Sequence, residues 1–156
     1  MKLSYIAVCL TSLITVLAPV AANADTPGRH PAYLRARSDL RAATFLLRVR
    51  EEPNVTRRLI EADRETEAAI REIDRAAVLD RKDIDDHPRV DTGLDRHHRF
   101  ERIVALLRSA RADLAREEDN GRARGWRDAA YQHIDAALDH MHEAARDQHW
   151  DRDFGW

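Results

Sequence analysis

The sequence predicts an all-α protein, an up-down-up-down four-helix bundle of two antiparallel hairpins. Three observations carry this. Apolar residues recur at alternating spacings of three and four through four separate stretches. The turn signals between the first and second, and between the third and fourth, are short, which makes those helices antiparallel neighbours. One long interruption, 80–91, divides the chain into two helical halves.

The first helix is expected at 31–50. Pro31 suits a first helical position, where its missing N–H costs nothing. Tyr33, Ala36, Leu40, Ala43 and Leu47 share one face, and Phe45 and Leu46 widen that stripe. Pro53 ends this helix or opens the next, with Asn54 a competent cap. The second helix is expected at 55–79, with Leu59, Ala62, Thr66, Ala69, Ile73 and Ala76 as its seam and Ile60, Ile70 and Ala77 beside it. Glu67 and Arg71 stand one turn apart on its outside, in the order that favours an ion pair.

Thr92 and Asp95 give a Thr-x-x-acid start signal for the third helix, whose seam is Phe100, Ile103, Leu107, Ala110 and Leu114. Gly121 supplies its stop. The fourth helix is expected at 122–149, with Ala123, Trp126, Ala130, Ile134, Ala137, Met141 and Ala144 facing inward. Residues 150–156 form an aromatic tail containing Trp150, Phe154 and Trp156. Trp150 and Phe154, one turn apart, are expected to fold back over the end of the bundle. The competing reading is an exposed contact for a protein partner or a second copy.

The start of the chain is expected to lie outside this fold. Lys2 precedes an almost wholly apolar or small stretch, and Ala22-Asn23-Ala24 supplies small residues for cleavage before Asp25. Residues 1–24 therefore read as a secretory signal peptide, and 25–30 as a flexible leader. The expected protein is exported, periplasmic or secreted, without stable membrane insertion after cleavage. Removing 24 of 156 residues leaves 132, enough for one domain. The remainder has no cysteine, which excludes disulfides and thiolate catalysis. It carries 25 basic against 28 acidic residues, a near balance that gives no reason to expect a nucleic acid or an anionic membrane as partner.

Several stretches carry a resemblance. His30-Pro31-Ala32-Tyr33-Leu34, Ser38-Asp39-Leu40-Arg41, Asp85-Asp86-His87-Pro88-Arg89-Val90-Asp91 and Glu117-Glu118-Asp119-Asn120 together resemble an uncharacterised family of small exported bacterial helical proteins. The linker motif is the most specific of these. The family pattern often has a histidine where this chain has Arg35, and an apolar residue where it has Arg37. The resemblance implies the helical architecture and export. It brings no activity.

Catalysis has little to stand on. There is no phosphate loop or nucleophile elbow, since Gly93, Gly121 and Gly125 are isolated, and the linker acids lack the spacing and glycine of a calcium loop. The expected role is therefore non-catalytic, in binding or in structural or stress support. The alternative is a divalent transition-metal protein. Its eight histidines are His30, His87, His97, His98, His133, His140, His142 and His149. An up-down-up-down order gathers all but His133 toward one pole, with several aspartates. Imidazole and carboxylate together suit zinc, copper or nickel. The residues chosen for such a site are His87, His98 and His142, with Asp86 or Asp95 as carboxylate partner. Against this, His133 and His140 stand at the edge of the fourth helix's seam, where a histidine is more often a boundary residue bonded to a neighbour, and Asp91 and Asp95 have ordinary capping roles.

Overall fold

The computed structural model describes residues 31–49, 52–79, 88–91, 93–116, 121, 123–150 and 152–154. Four helices form: α1 (Pro31–Leu47), α2 (Pro53–Leu79), α3 (Arg96–Leu114) and α4 (Arg124–Asp147). No strand occurs among the described residues. No helix among them is long and apolar enough to cross a membrane. The expected signal peptide and leader lie outside the described residues.

The helix ends follow local chemistry. Pro53 opens α2, so Asn54 lies inside the helix instead of capping it. Asp95 caps α3, its side chain accepting from the His98 N–H at 3.1 Å. α4 leaves through a complete Schellman turn. His149 takes a left-handed backbone with φ 60°, its N–H reaches the Arg146 carbonyl, and the Trp150 N–H reaches the Ala145 carbonyl.

α1 packs on α2 and α3, and α4 packs on the same two helices, so α1 and α4 stand diagonally, as do α2 and α3. The all-α bundle of two antiparallel hairpins is as expected, but the direction of its second hairpin differs from the sequence expectation. Arg35 near the start of α1 pairs with Asp113 near the end of α3, while Arg96 at the start of α3 meets Glu52 at the start of α2. Arg58 near the start of α2 pairs with Glu143 near the end of α4. These pairs make α1 antiparallel to α3 and α2 antiparallel to α4, an up-down-down-up order. The reason is linker length. The 16 residues between Leu79 and Arg96 can extend about 50 Å. That exceeds the ~28 Å of α3, so the chain can travel back along the bundle before re-entering it. Its described end does so: Val90 and Leu94 lie over the α1–α3 seam, by Ala42, Leu46 and Leu106.

The core runs between all four helices. Tyr33, Leu40, Leu59, Ile73, Phe100, Leu107, Ile134 and Met141 are among its largest fully buried side chains, interleaved with alanines. Trp126, expected in the core, packs against it half-buried. The buried hydroxyls of Thr44 and Thr66 bond back to the carbonyls of Leu40 and Ala62, so neither is left unsatisfied.

Candidate functional site

The inverted hairpin redistributes the histidines. One pole now holds the end of α1, the starts of α2 and α3, the end of α4 and the tail. His97, His98 and His149 lie there, whereas the start of α1 and the end of α2 belong to the opposite pole. His98 is exposed and its Nδ1 meets the Asp95 carboxylate, which also holds the His98 backbone. That contact pulls the His98 pKa up and, with the backbone bond as the larger cause, holds Asp95 below its ordinary value.

His142 is half-buried on α4. Phe100 meets Trp150 and Arg111 meets Asp135, so the α3–α4 register sets His98 beyond His142 by on the order of 10 Å along the axis. Of the expected metal ligands, the structure thus brings His98 and Asp95 together and places His142 away from them; Asp86 and His87 lie outside the described residues. Among the described residues, no group of three or more histidine, cysteine, aspartate or glutamate side chains is arranged to hold a metal ion.

His133 bonds across the α2–α4 seam, the neighbour contact expected of a histidine at a seam edge, whereas His140 sits beside two glutamates with no hydrogen bond at Nδ1 among the described residues. His133 Nδ1 lies 2.6 Å from Glu65 Oε2. His140 Nδ1 lies 3.5 Å from Glu61 and 3.6 Å from Glu143. Arg58 reaches both glutamates, at 3.2 and 2.7 Å, and so supplies the cation that these acids face. The cluster is a polar contact between α2 and α4.

The tail is docked. Trp150 packs edge-on against Phe100 at 5.3 Å, and Phe154 stacks on His97 at 5.3 Å. His97 Nε2 lies 3.2 Å from Asp153, and Arg108 donates to the Phe154 carbonyl at 3.0 Å. Arg96 stands over the Trp150 ring. Trp156 lies outside the described residues.

A groove lies on the α1–α2 seam. Two arginine contacts hold this seam. Arg37, only 2% exposed, grips Asp74 with Nε and Nη2. Arg48 holds Asp63 at 3.2 Å and also meets Glu67. Burial pushes the Asp63 carboxyl up in pKa, with Arg48 opposing. The two contacts start from residues eleven apart on α1, about 16 Å. Between them lies a groove of about 410 Å³. Phe45 and Ile70 form its apolar walls, and Arg41, Arg48 and Arg71 stand around it.

Phe45 is the residue that the sequence pattern misplaces. It was expected to widen the core stripe, as Leu46 does at 1% exposure, but it stays 54% exposed. Each residue turns a helix by about 100°, so with Ala42, Ala43 and Leu46 already facing the core, position 45 faces out along the seam. The signal was present in the flanks: Arg41 and Arg48 stand four before and three after Phe45, on the same face. The expected Glu67–Arg71 pair is also replaced. Glu67 turns across the seam to Arg48, and Arg71 has no charge partner among the described residues.

No protein-family model, no curated protein and no solved structure matches the chain.

Proposed function

We propose that this is an exported, non-catalytic binding protein whose site is the α1–α2 groove. The single observation that carries the reading is the exposed Phe45 in a cavity held open between two arginine contacts. Its volume falls in the range of small-molecule sites, and its apolar walls with a few fixed polar groups match their usual make-up. Export rests on the apolar stretch and small-residue cleavage site at 1–24. The proposal is tested by amide shift mapping of the isotope-labelled mature chain with two aromatic probes, the anion anilinonaphthalene sulfonate and uncharged phenylnaphthylamine. Shifts should concentrate at 41–48 and 67–71. Shifts confined to the aromatic pole, or none with either probe, would overturn the assignment.

A second reading, divalent transition-metal binding at the pole, is favoured by one observation. Asp95 orients the His98 ring through Nδ1 and leaves the other ring nitrogen on the exposed side, as carboxylates do for metal-ligating histidines. His98, with His87 and Asp86, would supply the ligands, and His142 stands too far along α4 to join them. Melting the mature, untagged protein with stoichiometric zinc, copper and nickel tests it. A raised midpoint that His98→Ala abolishes is the expected result, and no shift with any of the three metals contradicts it.

A further inference from the structure

The groove's wall chemistry says more than that something binds. Three guanidinium groups and the Glu67 carboxylate line it, and Arg48 is met by Asp63 and Glu67. Arg71 has no such partner among the described residues, and Arg41 lines the same wall one turn before Phe45. Guanidinium groups present planar forks of N–H donors suited to carboxylate and sulfonate oxygens. We propose, resting on the binding reading above, that the α1–α2 groove takes an amphipathic monoanion: one carboxylate or sulfonate head at Arg71 and Arg41, and an apolar body over Phe45 and Ile70.

The excluded classes follow from the same residues. A cation would meet three guanidinium groups against one carboxylate, Glu67, which Arg48 already holds. A neutral apolar molecule would cover Arg71 without pairing it, which costs the desolvation of a charge. A phosphate dianion usually draws on free backbone N–H groups at a helix N-terminus. Here the α1 wall is the C-terminal end of that helix and the α2 wall is mid-helix, where backbone N–H groups are already bonded within their own helix, and the Thr44 hydroxyl is committed to the Leu40 carbonyl. Side-chain forks are then the available donors, and they suit a single charge. The size of the cavity fits one short chain or two fused rings better than a macromolecule.

The test compares two probes with the same rings. Anilinonaphthalene sulfonate carries the anionic head, and phenylnaphthylamine lacks it. Fluorescence titration of the mature chain should give saturable one-to-one binding of the sulfonate, about tenfold or more tighter than the uncharged probe. Arg71→Glu should weaken the sulfonate by about tenfold or more and leave the uncharged probe unchanged. Phe45→Ser should weaken both. Near-ultraviolet circular dichroism of each variant checks that fluorescence does not report a loosened core. Equal affinity for the two probes, with both weakened by Phe45→Ser, would overturn the anion assignment and leave the binding reading standing. Absence of saturable binding by either probe would overturn both.

Discussion

The aromatic pole and the α1–α2 groove are built from similar parts and end in opposite states. Each sets a phenylalanine beside a seam between two helices and surrounds it with arginines. At the pole, Phe100 is fully buried, because Trp150 and Phe154 fold over it. At the groove, Phe45 stays more than half exposed, and nothing among the described residues covers it. The difference lies in chain continuity. The pole follows directly on the end of α4, where one Schellman turn re-aims the chain and lays the tail on α3. The α1 wall of the groove is the last two turns of that helix and its α2 wall is mid-helix, and the five residues between Leu47 and Pro53 are just enough to turn the chain into α2. A segment that runs on past a helix can fold back as cover, whereas a seam beside a short hairpin turn has to take its cover from elsewhere.

Removing the pole's cover should have the largest effect. Phe154→Ala deletes a buried ring and should cost about 3 kcal/mol, roughly 10 °C in melting temperature. A change within 2 °C would mean that the tail does not seal the pole. The next effect has the opposite sign. His149 holds a left-handed backbone that costs a residue with a side chain about 1 kcal/mol, so His149→Gly should raise stability by about that amount in denaturant unfolding. The smallest effect concerns the exposed cap of α3. The raised His98 pKa means that its pairing with Asp95 stabilises the fold below the ordinary histidine value and fades as pH rises through the folded value. The lowered Asp95 pKa means that its contribution is present above the ordinary carboxylate value and fades as pH falls through the folded one. The pair therefore acts in mildly acid solution, between those limits. Asp95→Asn keeps a capping side chain, and the His98 titration midpoint followed by proton NMR should fall back toward about 6.5. An unmoved midpoint would contradict the contact.

The helices were legible because burial writes its three-four spacing directly into the chain: Leu40, Ala43 and Leu47 on α1 are buried as that spacing requires. The two hairpins were legible because short turns leave one geometry. The direction of the second hairpin was not, since a 16-residue connection permits either direction and no single residue in it decides. That error moved the histidines with it, because a shared pole for both ends of the linker existed only in the expected order. Phe45 was misread because residue type outweighed angular position, although the arginines on its own face marked it as outward. The Glu67–Arg71 pair failed for a related reason. A within-helix rule competes poorly with Arg48, which reaches Glu67 from the neighbouring helix and holds Asp63 as well.

One measurement tests the central claim most directly: sulfonate-probe affinity and melting temperature, both determined on Phe45→Ser beside the unchanged chain. An exposed ring kept for a ligand should be dispensable for folding, so the midpoint should stay within about 2 °C while probe binding falls tenfold or more. Retained binding would contradict the groove as the site. A loss of stability as large as that of Phe154→Ala would contradict it too, since Phe45 would then be serving the core.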